Sequence, residues 1–341
     1  MEEERVSATH PGRTRRTAAV LAAALALGLF ARGDAGATDP SAGTSGAAFM
    51  KIGIGSARAL GLGRAYVALA EGTDAMNWNP AGLGTAQQRE FSTSYLRYIQ
   101  NIGQNYPTYA AYAHPLGRTV LGANFGYLSV DGFEKRDDAG RLGNGADVRA
   151  SYGFGTFSMA RSFWYEKLFL GASLKAIHED NDGTTHSTMV GDFGAMLKPN
   201  SYVTFGYASQ NFGAGSDSVA NVTRGGAAVR LLELLTVSAE LANTSDGPTR
   251  LALGGEFMLP EDMLQFGQIY LRIGYHGTDD MGTVMEEDRH TLYPLVSSPK
   301  ISFGLGLFTA RAFGYGIAFD YALMSYGALG TADILTLKMK F

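Results

Sequence analysis

The chain has 341 residues, a net charge of −4, 45 Gly, 19 Phe, 17 Tyr and no Cys. The lack of Cys excludes a disulfide scaffold and a thiolate-ligated metal, and the acid–base balance offers no basic surface for nucleic acid. Abundant Gly and aromatics beside only 10 Pro point to many short strands rather than disorder.

Residues 1–37 read as a secretory signal peptide. Arg13, Arg15 and Arg16 precede an apolar run from Thr17 to Phe30, and Ala35-Gly36-Ala37 offers a small-residue cleavage site. The run is too short to cross a bilayer as a helix. Residues 38–52 are small and polar, a tether without readable chemistry.

From Gly53 to Gly84 the chain is packed with Gly and Ala and closes on Asn77-Trp78-Asn79-Pro80-Ala81-Gly82. Small residues let backbones approach closely. Pro80 fixes its own φ and pushes Asn79 toward an extended conformation. Asn77 and Asn79 can bond nearby backbone as turn and cap residues. Arg64–Glu71, followed by Gly72, reads as two helical turns with a glycine after the C-terminus. The segment is too short to bury a core of its own, so it requires an enclosure. Residues 38–88 are therefore expected to form a tether and a hatch, with Arg64, Asn77, Trp78, Asn79 and Pro80 as its defining positions.

From residue 89 to 341 the period is two. Leu335, Leu337, Met339 and Phe341 alternate with Thr336, Lys338 and Lys340, and Leu235, Val237, Ala239 and Leu241 alternate with Thr236, Ser238 and Glu240. Segments of about ten residues with one apolar face suit tilted strands that cross a bilayer. Fourteen such segments can be counted, at about 89–99, 107–114, 119–130, 147–161, 166–179, 186–198, 201–211, 220–230, 233–243, 248–258, 267–276, 299–308, 312–323 and 332–341. No blade repeat of a propeller is visible. The expected fold is all-β, a 14-stranded antiparallel transmembrane β-barrel over 89–341. Such a barrel is wider than side chains alone can fill, so the hatch is expected in its lumen. Tight turns alternate with longer connections, which puts both termini in the periplasm of an outer membrane.

By parity Lys175, Asp192, Glu240, Arg250, Glu256, Arg272 and Asp320 point into the lumen, because charges facing lipid would cost a few kcal/mol each. Arg58, Arg64, Glu71 and Asp74 of the hatch supply partners for them. His178 to His186 carries five candidate metal ligands, yet it sits where a hairpin loop with Asp-Gly turn chemistry belongs, so no metal is expected. Gly277–Ser298 is the longest loop. No G-x-S-x-G, H-E-x-x-H or complete G-x-G-x-x-G occurs, so neither catalysis nor a cofactor is expected.

The run Ala57-Arg58-Ala59-Leu60-Gly61-Leu62-Gly63-Arg64-Ala65-Tyr66-Val67-Ala68-Leu69-Ala70, followed by Trp78-Asn79-Pro80-Ala81-Gly82-Leu83, resembles the N-terminal signature of PorV/PorQ-type outer-membrane proteins. That group is similar to FadL-type transporters, which carry Asn-Pro-Ala in an N-terminal hatch. The resemblance implies an outer-membrane barrel accessory to type IX secretion, holding cargo proteins and secretion components at the cell surface. The alternative it implies is FadL-like uptake of a long-chain hydrophobic compound. The short loops favour secretion, and a closed apolar pocket around Tyr66, Met76 and Trp78 would favour uptake.

Overall fold

The computed structural model describes residues 45–47, 49–50, 53–97, 103–133, 140, 148–213, 219–264, 266–277, 301–312, 314–325 and 331–341. All of them belong to the unit Ala37–Phe341. The expected signal peptide, most of the tether and nearly all of Gly277–Ser298 lie outside the described residues.

Fourteen strands close into one barrel. They are β1 (Glu90–Arg97), β2 (Gly103–Leu116), β3 (Thr119–Phe133), β4 (Val148–Phe163), β5 (Leu168–Asn181), β6 (Thr184–Leu197) and β7 (Val203–Phe212), then β8 (Val222–Leu231), β9 (Leu235–Thr244), β10 (Gly247–Leu259), β11 (Gln268–His276), β12 (Ile301–Ala312), β13 (Tyr315–Ser325) and β14 (Thr331–Lys340). Each pairs antiparallel with its sequence neighbour, and β1 closes the ring on β14. The strand count read from the period of two is the observed one.

Closure leaves no unpaired edge, and the alternation sorts side chains between two environments. Leu253, Ile273, Leu305, Phe319 and Leu337 are 43–55% exposed on the outside, whereas Lys175, Glu240 and Glu256 on neighbouring positions are 1–4% exposed inside. The buried apolar cluster lies in the bore: Leu60, Leu62, Tyr66, Met76, Trp78 and Leu83 pack against wall residues such as Tyr109 and Phe154.

Glu90 and Lys340 pair at one end of the barrel. We call it the turn end, because it also carries the short connection at Gly117-Arg118. The loop end lies opposite. Two loop-end connections are tighter than expected. Strands β5 and β6 run on to Asn181 and Thr184, so the turn is only Asp182-Gly183, with φ of 52° and 87°. Two consecutive positive-φ residues form a primed turn, which fits the twist of the hairpin. Asp180, Asn181, Thr184 and Thr185 therefore lie on strands rather than in a solvated loop. Thr244 and Gly247 are likewise separated by just two residues.

Candidate functional site

The hatch starts from one capped turn. Ser56 is the N-cap of helix α1 (Ala57–Gly61), and its Oγ accepts from Ala59 N at 3.2 Å, satisfying an otherwise orphaned amide. Two 3₁₀ turns follow, Gly72–Asn77 and Pro80–Thr85. Asn79 is extended, with φ −153° and ψ 100°, and its Oδ1 accepts from Ala81 N at 3.1 Å. Pro80 sits in the first turn, where its missing amide costs nothing.

The helix expected over Arg64–Glu71 does not form. The barrel wall takes its backbone groups instead. Tyr66 N and Val67 N both donate to Glu240 Oε2, at 2.9 and 2.7 Å, and Ser238 Oγ donates to Ala65 O at 2.8 Å. Asn79 Nδ2 donates to Val67 O at 2.8 Å. A strand carboxylate that accepts two amides outcompetes a short, isolated helix.

Inward-facing wall glycines let hatch backbone lie directly on strand backbone. A Cβ on Gly171, Gly194, Gly206, Gly254 or Gly274 would stand within 3.0 Å of Pro80, Asn79, Val67, Leu62 or Gly63 respectively. Cβ atoms do not approach so closely. The glycines of β5, β6, β7, β10 and β11 thus form a girdle for the hatch.

Ion pairs complete the attachment. Glu256 binds two guanidiniums, with Arg58 Nε at 2.8 Å and Arg272 Nε at 2.7 Å, and Arg272 reaches on to Asp320. Lys338 Nζ lies 3.1 Å from Asp74 Oδ1 and 3.7 Å from Glu90 Oε1. Burial pushes the Asp74 carboxyl above the usual carboxylate range, against the opposing pull of Lys338. Glu90 Oε1 also accepts from Thr73 N at 2.7 Å. Toward the loop end, Lys175 Nζ lies 2.9 Å from Asp192 Oδ2, and Arg224 Nη1 lies 2.8 Å from Glu240 Oε1.

Every position expected from the sequence has a described place. Asn77 Nδ2 donates to Ile54 O, and its Oδ1 accepts from Asn124 Nδ2, both at 3.0 Å. Trp78 is 2% exposed, edge-on to Tyr66, with Arg224 4.9 Å over its ring. Arg64 and Arg250 line a shared cavity beside Trp78. Arg224, Gln210, Asn211, Glu90 and Lys338 also take part and were not singled out as lumen positions. For Lys338 the alternation of the last strand already held the signal. Asn211 could not be found that way. A β-bulge shifts the β6–β7 register between Gly191 and Phe193, and Asn211 sits there at φ 61°. Its N donates to Asp192 Oδ1 at 2.7 Å.

A closed apolar pocket around Tyr66, Met76 and Trp78, which would favour uptake, is not what the bore contains. Tyr66 and Met76 are fully packed, at 0% exposure. The cavity lies on the loop-end side of Trp78 and measures about 50 Å³, room for a few water molecules. Met50, Ile54 and Val222 face it together with Lys175 and Arg224. Phe49 closes over this side, with ring centroids 5.5 Å from both Tyr152 and Phe154, and Ala47 N donates to Glu179 Oε1 at 2.7 Å. Among the described residues no group of three or more His, Asp or Glu could hold a metal ion.

A closed fourteen-stranded barrel with its own N-terminal segment bonded into the bore is a hatch-plugged barrel of the outer-membrane type. Solved structures share this fold. The chain is similar to the Ralstonia pickettii toluene transporter TbuX, with 15% identity and a TM-score of 0.55 over 82% of this chain and 96% of that one. It is similar to the Pseudomonas putida toluene transporter TodX, with 11% identity and a TM-score of 0.52 over 84% and 96%. It also resembles the CymD monoaromatic hydrocarbon channel, with 11% identity and a TM-score of 0.52 over 83% and 96%. These are FadL-family barrels, and at such identities the likeness is one of fold. No family model and no curated protein matches the chain. The likeness thus falls on the FadL-type side of the expectation, and PorV/PorQ proteins are not among these neighbours.

Proposed function

We propose that this chain is an outer-membrane barrel of FadL type that admits small hydrophobic molecules from the outside, with residues 38–88 as its tether and hatch and both termini in the periplasm. The supporting observation is the stoppered bore. An open aqueous pore would pass polar solutes, whereas here glycine contacts, buried amides and ion pairs seal the lumen. The barrel exterior is apolar at the positions that face lipid, and the fold is shared with proteins described as toluene transporters. Arg64, Asn77, Trp78, Asn79 and Pro80 hold the hatch in this reading. Lys175, Asp192, Glu240, Arg250, Glu256, Arg272 and Asp320 are wall anchors rather than a conduction path. The 50 Å³ cavity is too small for an arene, so entry requires Phe49 and its neighbours to leave Tyr152 and Phe154.

The test is uptake of labelled toluene by cells that lack their own hydrocarbon channel, alongside conductance in planar bilayers. The expected result is faster toluene entry with no steady ion current. Porin-like conductance, or toluene entry no faster than in empty cells, would refute the proposal. The secretion reading rests on the sequence resemblance of residues 57–83 and draws nothing from the comparisons. Its own test is removal of Gly277–Ser298, which would abolish surface attachment of cargo while the barrel still assembles.

A further inference from the structure

The outer wall of the barrel carries a trough along β4. On β4 the outward positions pass from Phe157 and Met159, more than half exposed, to Gly155, Gly153 and Ser151 toward the loop end. Gly155 pairs with Phe125 and Ala176, and Gly153 pairs with Tyr127 and His178. Met189 and Ser187 of β6 bound the far side. The open space over these positions measures about 520 Å³.

Packing does not demand these two glycines. A Cβ on Gly155 would meet nothing nearer than 4.0 Å, and one on Gly153 nothing nearer than 3.7 Å. The girdle glycines are the contrast, since each touches hatch backbone. A glycine inside a strand costs stability relative to Ala. Here that cost leaves the trough open.

The trough is graded in polarity along its length. Phe125, Ala176 and Met189 line its lower part. Above them His178 Nδ1 lies 2.7 Å from Ser187 Oγ, both exposed. One pleat beyond Ser151 on the same face, exposed Arg149 donates from Nε to Ser129 Oγ at 3.2 Å. Residues 149 to 155 span about 20 Å of strand, about 15 Å along the bilayer normal at a tilt near 40°, comparable with the ~15 Å hydrocarbon depth of one leaflet.

Resting on the outer-membrane reading above, we infer that this trough binds one anionic, phosphate-bearing lipid of the leaflet nearer the loop end. An acyl chain lies over Gly155 and Ala176, and the phosphate meets Arg149 and His178. Two features favour that occupant. The trough is continuous with the apolar exterior, and its loop end presents the Arg149 guanidinium and the exposed His178 ring beside Asp180, which pairs with Ser151.

The experiment is native mass spectrometry of the full-length barrel in detergent, titrated with phosphatidylglycerol and, separately, with phosphatidylcholine. Wild type should bind one phosphatidylglycerol in preference to phosphatidylcholine. Gly155→Leu fills the trough from outside and should weaken binding at least tenfold. Arg149→Glu should abolish the headgroup preference, which is about fivefold for one surface cation. Folding of each variant is checked by the heat-dependent gel shift of intact barrels. Binding unchanged in Gly155→Leu, or equal affinity of wild type for both lipids, overturns the inference. So does a wild-type dimer that Gly155→Leu separates, which would give the trough to a second copy. A chain that fails to enter bilayers at all would overturn the outer-membrane reading as well, so the two failures are distinct.

Discussion

Gly274→Ala is the sharpest probe of how the hatch is held. The new Cβ would stand 2.5 Å from Gly63 Cα, and closer still to Gly63 N and Leu62 C. All three are backbone atoms, so no rotamer change relieves the clash. Either the 62–64 segment moves off the wall or β11 bows outward. Overpacking a tight core costs about 1–3 kcal/mol, and a clash with backbone on both sides belongs at the upper end. About 3 kcal/mol lowers the ratio of docked to undocked hatch roughly a hundredfold. The chain has two Trp, with Trp78 buried in the hatch and Trp164 69% exposed at the turn end. In a Trp164→Phe background, acrylamide quenching therefore reports Trp78 alone, and trypsin cleavage at Arg58 and Arg64 reports hatch release. Gly274→Ala should raise both. Gly155→Ala, on the outer face with open space, should change neither. If Trp78 stays shielded and cleavage stays slow in Gly274→Ala, the girdle is not what holds the hatch.

Further substitutions test the polar attachments. Arg272→Met leaves Glu256 and Asp320 without their shared guanidinium and should cost about 3–5 kcal/mol, read as a lower urea midpoint in lipid vesicles. The double change with Asp320→Asn should recover most of that loss, because Glu256 keeps the Arg58 guanidinium and no buried carboxylate is then left without a cation. Asn79→Ala removes the cap on Ala81 and the bond to Val67 O. It should cost about 2 kcal/mol, with faster proteolysis of the hatch and an unchanged barrel gel shift. Glu240→Gln can keep its one carbonyl oxygen under the Tyr66 and Val67 amides, but its NH2 then faces the Arg224 guanidinium in place of Oε1. A loss of about 1–2 kcal/mol is expected, seen as increased quenching of Trp78.

Much of the fold was legible in the residues. Lys175, Glu240, Glu256 and Asp320 could be assigned to the lumen because the alternation of side chains along a strand is a local property, and one apolar face fixes which side each residue takes. Asn79-Pro80 could be read as an extended cap and turn for the same reason, since φ limits act on single residues. The helix misplaced to Arg64–Glu71 shows where local reasoning stopped. Its amides were claimed by Glu240, a residue 173 positions away from Val67.

The sequence by itself determined the number of strands, their inward and outward faces, and the need for something to fill the bore. Only the tertiary structure decided which hatch carbonyl meets which wall glycine, which carboxylate Arg58 and Lys338 find, and that Gly153 and Gly155 open a trough on the outside. Those outcomes depend on the stagger between strands far apart in the chain. Period-two alternation repeats identically for every allowed stagger, and so carries no information about it.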